Sequence, residues 1–420
     1  MALHIIDEAN RCLNCKKPMC QKGCPVHTPI PQIIQMFKEN QVMEAGKALF
    51  ENNPMSLICS MVCNHEMQCA GSCVLGRKGT PVHFSSIENY ISDTYLDRMT
   101  VEIPEKKNKS VAIIGAGPAG MTVAVILAKN GYDATVFEWK DKIGGIMQYG
   151  IPEFRLPKSI LERYKKNMLR MGIKIRPNTT IGAVLKIDDL LRDGYASIFV
   201  GTGVWKARNL GINGECLGNV YFGIDYLANP GAHQLGKNVA VIGMGNAAMD
   251  VARTALRNGA EHVTLYARGR DVAASEHEMA YARLDGAEFV FGKEIRRITK
   301  EGPVFSNSIM DENGKVVGCE KEEEQVQADS TIISISQGPR RKLIRTTVGL
   351  AGTDRGLLIT DENGMTTKEG VFAAGDVVSG SKTVVHAVES AKKAAEGMMR
   401  YMEGQNHPAG KPHSGMEYEH

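Results

Sequence analysis

The chain has 420 residues, 43% apolar and 23% charged, with 50 basic and 47 acidic residues giving a net charge of +3. At ~150 residues per domain this means two or three globular domains, with more apolar residues than a disordered scaffold carries. The charge balance gives no electrostatic basis for nucleic-acid binding, no apolar run approaches the ~18 residues of a membrane helix, and the first residues lack an export signal, so a cytoplasmic protein with neither nucleic acid nor membrane as partner is expected.

The opening region, residues 1–107, holds eight of the ten cysteines, between Cys12 and Cys73; only Cys216 and Cys319 follow. A secreted disulfide protein is cysteine-dense throughout. A cysteine-rich cap on a long chain points instead to metal or cluster binding in a reducing compartment. The cap reads as helical. Ile30–Phe37 is apolar at helical spacing with Pro29 placed to start it, and Ile87–Leu96 puts Ile87, Tyr90, Ile91 and Tyr95 on one face. Glu102–Lys109, with Pro104, reads as a linker.

The texture then changes to strand–turn–helix–strand. Val111–Ile114 is a buried strand, a helix runs to Lys129, and the next strand is Ala134–Glu138. A second such unit has strands Val239–Ile242 and His262–Tyr266 around a helix ending near Asn258. Asp311-Glu312-Asn313-Gly314 reads as a hairpin turn. Val371–Ala374 is a further strand, a helix from Thr383 to Met402 follows, and residues 405–420 read as a polar, disordered tail.

The first turn is Gly115-Ala116-Gly117-Pro118-Ala119-Gly120. Gly115 permits the tight turn, Gly117 lets backbone approach a diphosphate, and Gly120 lets helix and strand pack closely; the helix N-terminus favours the phosphate charge. Glu138 stands at the end of the second strand, about 20 residues on, where an acid holds a ribose. In the second unit Gly243, Gly245 and Ala248 form the Gly/Gly/Ala version of the turn, through Asn246 and Ala247. Its second strand ends in Tyr266-Ala267-Arg268-Gly269-Arg270, and Arg268 and Arg270 suit the 2′-phosphate of NADP better than NAD. Asp271 follows directly and could offset that charge. Two such folds in one chain suggest a flavin enzyme: FAD held in one, a nicotinamide admitted to the other, with nicotinamide C4 brought to ~3–3.5 Å from the flavin.

The cysteines fall into two groups, Cys12-x2-Cys15-x4-Cys20-x3-Cys24-Pro25 and Cys59-x3-Cys63-x5-Cys69-x3-Cys73. Eight thiolates suit two [4Fe–4S] clusters; the alternative is structural zinc in two four-cysteine sites. A flavin beside the cap favours iron, because zinc carries no electrons. On the pattern alone Cys59 is a ligand, and Ser85-x-x-Glu88 is a capping box in which Glu88 merely caps its helix.

Together with Cys20-Gln21-Lys22-Gly23-Cys24-Pro25-Val26, Gly150-Ile151-Pro152-Glu153-Phe154-Arg155-Leu156-Pro157, Gly245-Asn246-Ala247-Ala248-Met249-Asp250 and Ala374-Gly375-Asp376, these motifs give a resemblance. From Arg11 to Glu403 the chain resembles the small subunit of bacterial NADPH glutamate synthase and its relatives. Those include the flavin part of dihydropyrimidine dehydrogenase and the large subunit of NADH-dependent ferredoxin:NADP oxidoreductase. The resemblance implies an α/β fold of two Rossmann-like domains preceded by a helical iron–sulfur cap. It divides the chain into a bis-[4Fe–4S] domain (1–107), a split FAD domain (108–235 and 336–404) and an inserted NAD(P)H domain (236–335). It adds Gly145, Arg155, Gly375, Asp376, Thr383 and Val384 to the FAD site, with His386 in a packing role. It implies that Cys12, Cys15, Cys20 and Cys73 hold one cluster and that Cys24, Cys63, Cys69 and Glu88 hold the other, leaving Cys59 a non-ligand near the flavin. The stretch after Arg268 departs from relatives, which often carry a further arginine there, and NADP against NAD stays open.

The functional expectation is an electron-input subunit. Hydride passes from NADPH to FAD, and single electrons pass through the clusters to a large reductase subunit that carries FMN, iron–sulfur centres and the substrate site. Two alternatives are a stand-alone NAD(P)H:acceptor oxidoreductase serving ferredoxin, and a zinc-stabilised redox sensor without catalysis. A disulfide reductase is disfavoured, since no Cys-x-x-Cys follows Cys73. The run Glu320–Glu324 reads as a solvated strand end, and the 21 methionines as core filler.

Overall fold

The computed structural model describes residues 2–404 apart from Ile103, Asp271 and Asn313. The tail 405–420, the Asp271 that follows the basic turn, and Asn313 of the hairpin turn lie outside the described residues. The chain forms two compact units. The first runs to Met147, resumes over Glu153–Val204, and takes up the chain again from Pro339; the second comprises Gln148–Pro152 and Trp205–Gly338.

The cap is helical throughout: Ala2–Asn10, Met19–Lys22, Ile30–Lys38, Val42–Asn52, Ser56–Val62 and Phe84–Arg98, with short 3-10 turns at His65–Met67 and Val74–Arg77. Ile30, Ile33, Ile34 and Phe37 of one helix and Ile87 and Ile91 of another share a buried core with Ala9, Ala45 and Leu49. The Phe84–Arg98 helix buries Ile87, Ile91 and Tyr95 as expected from their spacing, while Tyr90 lies at the exposed edge. The expected capping box is absent. The helix starts at Phe84 after His83, with no side-chain cap, so Ser85 is already inside it and Glu88 is turned inward and buried.

The rest of the first unit is a five-stranded, fully parallel sheet in the order Val371–Ala373, Tyr195–Val200, Ser110–Ile114, Asp133–Phe137, Lys174–Arg176. The chain order reverses between the strands at 195–200 and 110–114, and the first glycine turn leaves the sheet at that switch point, where such folds open a crevice. Helices Pro118–Lys129 and Val384–Met402 cover this sheet. The linker is tied along its length: Lys107 N–H donates to Gly131 O at 3.0 Å, and the Lys107 ammonium pairs with Glu403.

The second unit repeats the plan. Its parallel sheet runs Val220–Phe222, Ser330–Ile333, Asn238–Ile242, His262–Ala267, Glu288–Phe291. An antiparallel sheet of Lys293–Thr299, Gly302–Met310 and Val316–Cys319 is appended, with Glu324–Gln325 paired to the middle strand. The hairpin expected at 311–314 joins two of these strands, with Gly314 N–H donating to Asp311 O at 2.9 Å.

The unit boundaries differ from expectation. The second unit begins at Trp205 instead of 236, because Val220–Phe222 pairs with Ser330–Ile333 and Lys206–Ala207 pairs with Gln337–Gly338. The cap also does not separate at residue 107; it is part of the same compact unit as the first parallel sheet. Among the described residues no helix is long and apolar enough to cross a membrane.

Candidate functional site

The two glycine turns obey the same steric logic. Gly115 has φ of +101°, and a Cβ there would lie 2.6 Å from Gly201 O, at the end of the neighbouring strand. Gly243 has φ of +132°, and a Cβ there would lie 2.2 Å from Ser334 O, at the end of its own neighbouring strand. Both positions are closed to side chains by backbone conformation and by a carbonyl. The middle glycines are different. A Cβ on Gly117 would meet nothing nearer than 4.0 Å, and one on Gly245 nothing at all within that range. The protein's own packing does not require glycine at either place. The open side of each leaves room for a diphosphate to approach backbone N–H groups.

Glu138 completes the first turn from its strand end. Its carboxylate is buried and accepts from Ala116 N at 2.7 Å through Oε2 and from Lys140 N at 2.9 Å through Oε1. Burial pushes the carboxyl up, and the N–H donors of Lys140, Ala116 and Trp139 counter it in part. A carboxylate offers about four lone-pair sites, so acceptor capacity remains for ribose hydroxyls. Arg340 lies over the neighbouring Trp139 ring at 4.6 Å.

The other residues expected around a flavin are placed by the same unit. A Cβ on Gly145 would come within 2.8 Å of Gly117 Cα, so this loop closes directly against the turn. Gly375 N–H donates to Ser390 Oγ at 3.1 Å, which docks the end of strand Val371–Ala373 on the final helix. Asp376 accepts from Lys382 N at 3.1 Å, and burial raises its carboxyl to about 6 despite that donor. Thr383 is the residue before the helix that Val384 begins, and its Oγ1 lies 2.6 Å from His386 Nδ1. Burial lowers the His386 imidazole, helped by Lys382. Arg155 is half-buried in the loop before helix Lys158–Arg170.

In the second unit, Ala248 is fully buried under the turn and Ala247 is half-buried. Asn246 Oδ1 accepts from Ser275 N at 2.9 Å, and Met244 O accepts from Ala274 N at 3.0 Å. The loop after the basic turn is thereby pinned to the glycine turn. Arg268 and Arg270 are both exposed. The helix beneath is held by a buried guanidinium: Arg253 pairs with Asp285 at 2.8 Å and Glu278 at 3.5 Å. Arg257 adds a second pair to Asp285 at 2.9 Å.

The cap contains two thiol-lined cavities. One, of about 460 Å³, is walled by Cys12, Cys15, Cys20, Cys69 and Cys73 among apolar residues such as Ile34, Leu75 and Phe84. The other, of about 330 Å³, is walled by Cys24, Cys59, Cys63, Cys69 and Glu88, with His65, Asn53 and Val385. Cys12, Cys15, Cys20 and Cys73 are thus brought together, as are Cys24, Cys63, Cys69 and Glu88, with Cys69 reaching both walls. All ten cysteines are free thiols. Among the described residues no three His, Cys, Asp or Glu side chains converge tightly enough for a single metal ion; the thiols line the walls of cavities.

Burial raises Cys20 to about 11, with the charges of Cys73 and Cys12 adding to it, and Cys69 to about 12, with Glu88 and Cys24 adding. Burial likewise pushes the Glu88 carboxyl far up, and Cys59 pushes in the same direction. A hydrogen bond with Cys63 holds Cys59 down against its burial. A bound cation-rich group would reverse these costs, since metal ligands bind deprotonated. Reasoning from sequence missed His65 and Asn53 on the second cavity wall, and it missed Val385, which comes from the far end of the chain; no spacing rule connects them to the cysteines.

Comparison with known proteins gives two family matches. Residues 2–100 match the family described as dihydropyrimidine dehydrogenase domain II, 4Fe-4S cluster. Residues 109–391, with a further match over 78–194, fit the pyridine nucleotide-disulphide oxidoreductase family. The chain is 35% identical to the glutamate synthase [NADPH] small chain of Halomonas elongata, over 94% of this chain and 90% of that one. It is 32% identical to the NAD-dependent dihydropyrimidine dehydrogenase subunit PreT of Escherichia coli O157:H7, over 95% and 94%. Among solved structures, Mycobacterium tuberculosis FprA in complex with NADPH superposes with a TM-score of 0.59 at 18% identity, covering 70% of this chain and 85% of that one. That likeness concerns the fold.

Proposed function

This chain belongs to the family of glutamate synthase small chains and PreT-type subunits, NAD(P)H-dependent flavin and iron–sulfur oxidoreductases, and on that premise we propose that it is the electron-input subunit of a larger reductase. It takes reducing equivalents from NADPH and delivers them to a separate large subunit that carries the substrate site. The observation that carries this reading is the last helix, Val384–Met402. It starts at the flavin-side residue Thr383, packs on the helix of the first glycine turn, and puts Val385 into the wall of the second thiol cavity.

The residues present fit the groups this reading needs. Gly117, Pro118, Ala119 and Gly120 offer a helix N-terminus and open backbone to the FAD diphosphate, and Gly115 fixes the turn. Glu138 takes the ribose; Gly145, Arg155, Gly375, Asp376, Thr383 and Val384 surround the rest of the flavin. Gly243, Gly245, Asn246, Ala247 and Ala248 hold the NADPH diphosphate, and Arg268 and Arg270 take its 2′-phosphate, which is why NADPH is the proposed donor. Cys12, Cys15, Cys20 and Cys73 hold one [4Fe–4S] cluster. Cys24, Cys63 and Cys69 hold a second, with Glu88 as fourth ligand; a buried carboxylate in the same wall as Cys24, Cys59, Cys63 and Cys69, with no helix cap to serve, supports that choice over Cys59. When bound, FAD supplies the exchange between two-electron hydride and one-electron cluster chemistry. The chain's own part is to hold, orient and exclude water; no side-chain base is needed.

The test is anaerobic purification of the full chain from its host. The expected result is one FAD, ~8 iron and ~8 acid-labile sulfide per chain (four of each per cluster), bleaching on NADPH, and a large subunit in stoichiometric amount. Zinc without sulfide would replace the clusters by structural metal. A brown, NADPH-reducible chain recovered alone would replace the fixed partner by a diffusing acceptor such as ferredoxin.

A further inference from the structure

Cys24 is held in a turn that aims several donors at its sulfur. The N–H groups of Thr28 and Val26 point to it, and Thr28 Oγ1 lies 3.4 Å from Cys24 Sγ. Thr28 is 2% exposed, so water does not compete for its hydroxyl. The same Oγ1 accepts from Asn52 Nδ2 at 3.2 Å. Asn52 is held in turn by Lys392 of the final helix, whose Nζ donates to Asn52 O at 2.6 Å and to Asn52 Oδ1 at 3.1 Å.

The direction of this chain is fixed by chemistry. An ammonium has donors only, so the amide oxygen of Asn52 must face Lys392 and its NH₂ must face Thr28. Thr28 then has one proton left, and its neighbour is the sulfur. A thiolate ligand can only accept. The chain therefore runs Lys392 to Asn52 to Thr28 to Cys24, every bond donating toward the sulfur, with a positive charge at its head.

We propose that Lys392 and Thr28 are positioning residues that raise the reduction potential of the cluster held by Cys24, Cys63 and Cys69, a role that rests on the cluster assignment above. Hydrogen bonds to ligand sulfurs and nearby positive charge favour the reduced, more negative state. The final helix thereby reaches this cluster by a second route, beside the wall contact of Val385.

The experiment is a redox titration of the full chain followed by electron paramagnetic resonance, with iron and sulfide counted in each sample. The cluster concerned is the one whose signal Cys24→Ser alters. Thr28→Val is expected to shift that cluster on the order of tenfold toward its oxidised form at a fixed poise, equivalent to 59 mV for a one-electron couple, while Thr28→Ser keeps the hydroxyl and the wild-type midpoint. Lys392→Met shifts the same cluster in the same direction, and the double variant shifts less than the sum, because both changes act on one hydroxyl. An unchanged midpoint in Thr28→Val at full iron content, or a shift confined to the other cluster, overturns the proposal. If Thr28→Val loses iron, Lys392→Met decides: iron loss or an unmoved midpoint there marks the chain as structural only. Wild-type protein without iron and sulfide would instead overturn the cluster assignment itself.

Discussion

The two parallel-sheet units carry the same turn, yet they differ at its third small residue and at the strand end opposite. In the first unit a Cβ on Gly120 would lie 1.9 Å from Gly115 O; in the second, Ala248 occupies the corresponding place and is fully buried without such a clash. In the first, the strand end presents a buried acid, Glu138; in the second, it presents the exposed arginines Arg268 and Arg270. The tight, acid-closed turn suits a resident group that stays. The looser, basic and solvent-facing one suits a ligand that enters and leaves. On the proposed assignment, one folding plan separates a resident site from an exchangeable one by a methyl group and a change of charge sign.

That contrast can be broken by exchange. Gly120→Ala is expected to cost more than ~3 kcal/mol or to abolish flavin loading, since backbone must move, whereas Ala248→Gly costs the ~1 kcal/mol of helix propensity and about as much again for the buried methyl; melting curves with flavin content read both. Glu138→Ala leaves the buried Ala116 N–H unpaired, costs ~1–3 kcal/mol, and yields protein that loses FAD on gel filtration. Replacing Arg268 and Arg270 together by Ala should lower kcat/KM for NADPH relative to NADH by roughly 10- to 100-fold, or ~1.4–2.7 kcal/mol, with the melting temperature unchanged. An unchanged preference would remove the argument for NADP.

In pH dependence the two units should show opposite signs. Asp376, raised by burial to about 6 from 3.8, makes its contribution below 3.8 and loses it as pH rises through about 6, at most ~3 kcal/mol. Asp376→Asn should therefore stabilise flavin-free protein at pH 8 and leave it unchanged at pH 3.5. At Asp285 burial acts upward, but Arg253 and Arg257 together outweigh it and hold the carboxyl below 3.8. Its contribution is present above 3.8 and is lost as pH falls through that lowered value. Asp285→Asn should destabilise by ~1 kcal/mol at pH 7 and by nothing in strong acid.

Much of the fold was legible because both strand–turn–helix–strand units are local patterns, each on adjacent residues whose apolar periodicity switches from strand to helix and back. The start of the second unit was not, because Val220–Phe222 is a half-buried strand of three residues whose partner lies 111 positions later. The pairing of cysteines into cavities was not readable from spacing either; it came with the family resemblance. The spacing of Ser85 and Glu88 fits a cap, but the tertiary demand for an inward carboxylate overrides it. Thr28, Asn52 and Lys392 gave no signal at all, since a polar relay assembled from three distant segments has no period.

The Lys392–Asn52 contact joins residues 340 positions apart. At ~5–20 residues per second, synthesis of that interval takes roughly 20–70 s. During that time the cap residues have been made, but the helix that supplies Val385 to the wall of the second cavity has not. On the proposed cluster assignment, iron and sulfide can reach that cavity during this interval, before Val385 completes its wall. Slowing the ribosome late in the message should raise the share of chains that leave synthesis with the second cluster filled.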